Sequence, residues 1–238
     1  MSNGDKPVAL ITGARKGIGR FLAEHLLKQD WRVFGCSRQA ADWSAEEFTH
    51  VQVDVTDEAQ VKGLVREIGQ ATGGRLDALL NNAGAASMNH SLLMPVESVT
   101  KMMGTNVLGT WLVSREAAKL MQKRHYGRIV NFSSIAVPMR LSGQAVYAAT
   151  KGAVESLSQV MARELAEFGI TVNVVGPTPV ATDMTRGVPR ETMDKLVEQF
   201  PIKRLGTMEE VAHVVDFFLR PDSAAVTGQV IYLGGVPN

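Results

Sequence analysis

Short apolar runs alternate with longer amphipathic stretches along the chain, the spacing expected of strands joined by crossover helices rather than of a meander or a bundle. Residues 8–11, 32–36, 51–53, 78–80, 128–132, 171–175 and 229–233 form seven such runs and predict seven strands. Most are apolar at successive positions, as strands covered on both faces must be. Between them, apolar residues recur every three or four positions over 17–29, 57–71, 96–123, 146–168, 190–199 and 208–219, which predicts helices. Thr207 followed by Glu210 has the spacing of a capping box and opens the last of these. Because parallel strands connect through right-handed crossovers, the order predicts an α/β fold: a doubly wound parallel sheet with helices on both faces. No internal repeat or linker breaks the order, so residues 1–238 read as one domain. The stretch 176–205 departs from the strand-helix alternation and reads as a lid over the active edge.

Composition narrows the functional classes. Of the 238 residues, 45% are hydrophobic and 21% charged, which excludes disordered, collagenous and disulfide-scaffold chains. A net charge of +1 with no block of like charge gives no reason to expect nucleic acid or an anionic membrane as a partner. The one cysteine, Cys36, cannot form an internal disulfide and reads as a buried strand residue. The polar opening and the lack of a long apolar run argue against secretion and membrane spanning, so a cytoplasmic location is expected. His25, His50, His90, His125 and His213 show no paired ligand spacing, so no metal is expected.

The first predicted strand runs into Thr12, Gly13, Ala14, Arg15, Lys16, Gly17, Ile18 and Gly19 and then into a helix. Glycines let the backbone turn tightly and approach a pyrophosphate, while a helix N-terminus offers free amides and the positive end of its dipole. The glycine spacing differs from G-x-G-x-x-G, and a tight turn serving only helix packing would use the same residues. The other motifs decide the matter. This loop resembles the cofactor loop of the short-chain dehydrogenase/reductase family in its shorter, single-domain form. That family's remaining motifs follow in order: Asn81-Asn82-Ala83-Gly84 after the fourth strand, Asn106 in the fourth helix, Ser133-Ser134 closing the fifth strand and Tyr147 with Lys151 in the next helix. The resemblance covers residues 6–235 and implies a Rossmann-like sheet of seven strands.

NAD and NADP differ by a 2′-phosphate, so the residues after the second strand should discriminate between them. Cys36-Ser37-Arg38 carries no acid there, Arg38 offers a planar fork for phosphate, and Arg15 and Lys16 add positive charge. NADPH is therefore the expected cofactor; the competing reading is that Arg38 and Arg15 are solvated surface residues. Asp42 stands too far past the strand to support NAD. The resemblance implies that Asp54 and Val55 flank the adenine, that Asn82, Ala83 and Gly84 lie along the ribose, and that Pro177, Val180 and Thr182 border the nicotinamide.

Tyr147 and Lys151 stand four apart on a predicted helix, so both project from one face. The resemblance assigns Ser134, thirteen residues before Tyr147, as their partner, and leaves Ser133 a local backbone bond. Reduction of a carbonyl builds alkoxide charge that a positioned acid must neutralise. Tyr147 would supply that proton beside the cofactor, Lys151 would stabilise its phenolate, lower its pKa and bond the nicotinamide ribose, and Ser134 would polarise the carbonyl; the resemblance implies that Asn106 anchors a water connecting Lys151 to solvent.

The segment 169–175 looks like that of 3-oxoacyl-[acyl-carrier-protein] reductases, but Phe168 replaces a frequent arginine and Thr178 the usual glycine. The bulky run Val137, Pro138, Met139, Arg140 and Leu141 is expected to narrow the pocket; Met184 and Met193 could line it or fill the core. The expected function is NADPH-dependent reduction of a small-molecule carbonyl, with a carrier-bound 3-oxoacyl substrate as the specific alternative and a non-catalytic cofactor-binding regulator as the alternative of another class. The family resemblance further implies a homotetramer through helices 96–123 and 146–168, with Trp111, Val113, Leu157 and Val160 at the contact.

Overall fold

In the computed structural model, which describes residues 6–180 and 190–236, seven parallel strands form one sheet in the order β3-β2-β1-β4-β5-β6-β7. They are β1 (Val8–Thr12), β2 (Arg32–Ser37), β3 (Phe48–Gln52), β4 (Ala78–Asn81), β5 (Gly127–Phe132), β6 (Ile170–Gly176) and β7 (Val230–Tyr232). All seven lie at or beside the expected runs. The third begins earlier than expected because polar Thr49 and His50 separate Phe48 from Val51, which hides its start from an apolar-run criterion; its ladder with β2 starts at Val33 opposite Phe48.

Side chains alternate across the sheet, and two cores result. Val8, Leu10, Phe34, Leu79, Ile129 and Val172 face one side, where they pack with α2 (Glu58–Ala71), α4 (Thr110–Met121) and α6 (Ala145–Leu165). Ala9, Ile11, Val33, Leu80, Val130 and Val175 face the other and pack with α1 (Gly17–Lys28) and α8 (Met208–Leu219). Helix starts are set locally. Asp57 accepts from the Ala59 and Gln60 amides to open α2, and the expected Thr207–Glu210 capping box opens α8.

The expected helix over 96–123 is not one regular helix. It comprises α3 (Val96–Met102), a π-helical stretch over Met103–Gly109, and α4. A Cβ at Gly109 would lie 2.7 Å from a methyl of Val55, so this wide stretch passes close over the β3–α2 connection. Val113, expected at a subunit contact, is wholly buried against the sheet, and Leu157 packs partly buried on the same core; Trp111 and Val160 are exposed. Two shorter elements, α5 (Ala136–Met139) and α7 (Arg190–Val197), complete the helices used below.

Among the described residues no helix is long and apolar enough to cross a membrane. The part of the expected lid at 181–189, with Thr182 and Met184, lies outside the described residues.

Candidate active site

The sheet's order reverses at β1 and β4, and a crevice opens there at the carboxyl ends of the strands, as it does in doubly wound sheets generally. The glycine loop forms one wall. Gly13 has φ of 71° and Gly17 of 60°, values that favour glycine. A Cβ on Gly13 would meet Asn82 Nδ2 at 2.9 Å, and one on Gly19 would collide with Asn82 Nδ2 and the Gly13 carbonyl. The loop is therefore held against the end of β4. Asn82 Nδ2 donates to the Thr12 and Gly13 carbonyls at 3.0 and 3.3 Å, and Thr12 Oγ1 accepts from the Ala83 amide at 2.9 Å. No side chain caps the first turn of α1 and no acid stands in it, so its amides remain suited to an anion.

A groove of about 660 Å³ follows from this loop, lined by Gly13, Arg15, Lys16, Gly17, Ile18, Ser37, Arg38, Asp54, Val55, Asn82, Ala83 and Gly84, all expected from the sequence. Thr12 and Gly19 are buried beneath it and shape it from below. Gln39, Val53 and Thr105 line it as well. They were not expected, because none stands in a recognisable motif.

The groove's polar groups differ in how far they are already engaged. Arg38 is exposed at the rim and has no ion-pair partner among the described residues. Ser37 is committed elsewhere: its hydroxyl donates to the Gln39 carbonyl at 2.9 Å and lies 2.7 Å from His50 Nε2. Asp42 folds back to within 4.0 Å of Arg15 and 3.8 Å of Arg20, so it balances charge beside the loop instead of taking up a ribose position at the end of β2. The buried Nε of Arg15 lacks a partner. An unsatisfied guanidinium nitrogen, a free arginine and uncapped helix amides beside a glycine cradle fit a dinucleotide that carries an extra phosphate.

A second cavity of about 580 Å³ shares Ile18, Asn82 and Gly84 with the groove, so the two meet. Ser134, Tyr147, Lys151, Pro177 and Val180 line it. Tyr147 and Lys151 project from one face of α6, and the Lys151 Nζ lies 5.9 Å from the Tyr147 ring centroid. Nζ donates to the Phe132 carbonyl at 2.7 Å, and burial lowers its pKa to about 8. Tyr147 moves opposite to expectation. Burial raises its pKa, a side-chain hydrogen bond with Ser134 pulls it partly back, and Lys151 does not reverse the shift. The desolvation of the phenol outweighs the ammonium, which is itself easily deprotonated there.

Asn106 sits in the π-helical stretch, fully buried, and links three segments. Its Oδ1 accepts from the Ala85 amide at 2.7 Å, while Nδ2 donates to the Ala85 carbonyl and to Thr150 Oγ1, each at 2.9 Å. Ser133 makes no local backbone bond with its hydroxyl; that hydroxyl donates to Glu155 Oε1. Of the run expected to narrow the pocket, only Leu141 lines it, because Val137, Pro138 and Met139 belong to the short helix α5 and Arg140, with φ of 50°, ends it exposed. Met193 lines the cavity rather than filling the core. Met88, Gln144, Thr178 and Gln199 also line it and carried no signal in the sequence beyond the departure noted at Thr178. Among the described residues no group of three or more His, Cys, Asp or Glu could hold a metal ion.

Comparison with known proteins agrees with this geometry. A family model described as enoyl-(acyl carrier protein) reductase matches residues 13–235. The chain is 34% identical over 239 residues to the 3-oxoacyl-[acyl-carrier-protein] reductase FabG of Escherichia coli, covering 98% of each chain. Among solved structures, ElxO with NADP bound superposes with a TM-score of 0.90 at 34% identity, covering 97% of this chain and 98% of that one. An actinorhodin polyketide ketoreductase with NADPH superposes with a TM-score of 0.88 at 31% identity, covering 99% and 98%.

Proposed function

Since the chain belongs to the short-chain dehydrogenase/reductase family and is an NADP(H)-dependent oxidoreductase of that family, we propose that it reduces the carbonyl of an acyl or other largely apolar small molecule to an alcohol. The observation that carries this reading is the convergence of Ser134, Tyr147 and Lys151 on the cavity that opens into the dinucleotide groove. The glycine loop, Arg15 and Arg38 would hold the dinucleotide and its extra phosphate, and the reduced nicotinamide would supply a hydride when bound.

The protein's own residues do the rest. Ser134 donates to the carbonyl oxygen and orients it. Tyr147, whose burial pushes its pKa further above the ordinary phenol value, delivers the proton that quenches the developing alkoxide. Lys151, whose pKa lies at about 8, re-protonates the tyrosine and is held in place by the Phe132 carbonyl. Asn106 braces the segment after β4 against α6 through Ala85 and Thr150, which keeps Lys151 facing the junction of the two cavities. Leu141, Met88, Ile135 and Met193 make the substrate side mostly apolar and exclude water from the reacting bond.

The relatives supply the finer candidate, a 3-oxoacyl thioester on acyl carrier protein. It is supported by the FabG likeness and by Lys123 and Arg124, exposed together after α4. Against a carrier contact at the position before Gly169, Phe168 packs on the core. The family model's description points instead to reduction of a carbon–carbon double bond. One panel separates these readings: NADPH oxidation is followed with a 3-oxoacyl thioester, the matching enoyl thioester, a diketone and an aromatic ketone, with Tyr147→Phe as control. Turnover of carbonyls alone, lost in the variant, supports the proposal. Turnover of the enoyl thioester alone, or none in a protein that binds NADPH tightly, would sink it, the latter favouring a regulator. A homotetramer is the accompanying proposal, supported by exposed Trp111 on α4 and Val160 on α6; sedimentation of Trp111→Glu should show smaller species.

A further inference from the structure

Three successive residues at the end of β5 are each fastened to α6. The Phe132 carbonyl accepts from Lys151 Nζ at 2.7 Å, the Ser133 hydroxyl donates to Glu155 Oε1, and the Ser134 side chain is bonded to Tyr147. Their partners Tyr147, Lys151 and Glu155 stand four residues apart, one helical turn each, and so share a face. The proposed reaction uses the first two and leaves Glu155 without a task. Its carboxylate is nevertheless doubly engaged, because the Tyr232 hydroxyl of β7 donates to the same Oε1 at 2.6 Å. Tyr232 reaches it by lying flat over Gly176, where any Cβ would collide with the ring.

We infer that Glu155 is a positioning residue for the reduction, a carboxylate clamp that holds Ser133, and through it the adjoining Ser134, in register with Tyr147 and Lys151 while anchoring both to β7. The inference rests on the carbonyl-reductase reading for its kinetic consequence and on geometry alone for the clamp. Ser133 is 4% exposed and its amide donates to the Val175 carbonyl at 2.8 Å, so backbone and side chain are both fixed. Both serines line the substrate cavity, yet only Ser134 has a hydroxyl free of a carboxylate. The clamp thus also decides which of two adjacent serines meets the substrate. A carboxylate accepting two hydroxyl bonds is a strong and directional tether, and small displacements of a group that orients a reacting bond have large effects on rate.

The test compares Glu155→Ala, which removes the acceptor, with Glu155→Gln, which keeps an acceptor oxygen for both hydroxyls. In wild-type protein whose turnover is abolished by Tyr147→Phe, Glu155→Ala should lower kcat about 10- to 100-fold while KM and NADPH affinity stay within about twofold. Glu155→Gln should recover kcat to within about threefold of wild type. Ser133→Ala should reproduce most of the loss and add little to it in the double variant, and it serves in place of Glu155→Ala if that protein does not fold. Amide hydrogen exchange on the free protein reads the clamp without any substrate: exchange over residues 132–136 should rise in Glu155→Ala and not in Glu155→Gln. Unchanged exchange overturns the clamp even if no carbonyl is ever turned over. Raised exchange with unchanged kcat overturns the positioning role, and so does equal loss of kcat in the Ala and Gln variants. A wild type that reduces no carbonyl while its exchange pattern responds as expected would instead count against the proposed reaction.

Discussion

The dinucleotide groove and the substrate cavity meet at Ile18, Asn82 and Gly84, yet they are built by different means. The groove is largely backbone: glycines without side chains, amides at the start of α1, and a loop tied by Asn82 and Thr12 to the end of β4. The cavity is largely side chain, drawn from the β4–α3 connection, the loop before α6, the residues after β6 and α7. A backbone site admits few sequences, because the approach distances leave no room for a Cβ. A side-chain site of the same size admits many, which is how one cofactor can serve enzymes of different substrates.

The largest effect should come where the two regions join. Tyr147→Phe removes the proton donor and should lower kcat by about 10² to 10⁴, with NADPH affinity unchanged because the groove does not depend on the hydroxyl. Titration with NADPH and single-turnover kinetics check both halves. A loss of affinity to match the loss of rate would show that groove and cavity are not separable.

Lys151→Met should lower turnover by less than Tyr147→Phe does and stabilise the fold. With its pKa lowered to about 8 by burial, against an ordinary value of 10.5, the folded state binds the lysine proton less readily than the unfolded state does. Below pH 8 the lysine is charged in both states and the full penalty applies, on the order of 3 kcal/mol for the shift. Between about 8 and 10.5 the unfolded state holds more protons, wild-type stability climbs with pH, and the advantage of the variant fades. Thermal melts of both proteins across that window check the sign; a variant less stable than wild type at pH 7 would show that the bond to the Phe132 carbonyl outweighs desolvation.

Gly19→Ala tests the backbone half. Its Cβ would collide with the Gly13 carbonyl, so the loop must move, and NADPH affinity should fall at least about tenfold with a stability loss of about 1–3 kcal/mol. Arg38→Ala is a milder change to the same region. An exposed charged hydrogen bond to phosphate should be worth about tenfold in NADPH affinity and nothing in NADH affinity. Equal losses for the two dinucleotides would remove Arg38 as the discriminating residue.

The same contrast explains what could be read from the sequence. The strands β1, β4, β5 and β6 are buried along their whole length, so their apolar runs announce them. The strand β3 is half-exposed, and its polar Thr49 and His50 hide its start from an apolar-run criterion. Groove residues were legible because a glycine loop and Asn82-Ala83-Gly84 are contiguous and chemically unusual. Ser134, Tyr147 and Lys151 were legible through their spacing, but the direction of the tyrosine's shift was not, since desolvation depends on what the fold packs around it. Val113 and Trp111 lie two apart on one helix, and periodicity alone did not say which faces the sheet. Glu155 gave no signal, and Ser133 stood in a motif that did not name its partner, because a carboxylate 22 residues from its serine becomes its partner only when α6 lies against β5.

The smallest effect should come from the substrate side, at Met193. This methionine belongs to α7, is half-buried, and lines the cavity that Tyr147 also lines. Its flexible thioether adapts to an apolar substrate and contributes contact area without fixing an orientation. Met193→Ala should therefore raise KM for the best apolar carbonyl about three- to tenfold, the value of one or two lost methylene contacts, and leave kcat and NADPH affinity as they were. The change should shrink along a series of shorter substrates and vanish for one too small to reach α7. A kcat effect of the same size would mean that α7 helps align the carbonyl with Ser134 and Tyr147, and that the substrate cavity is more exacting than its ordinary side chains suggest.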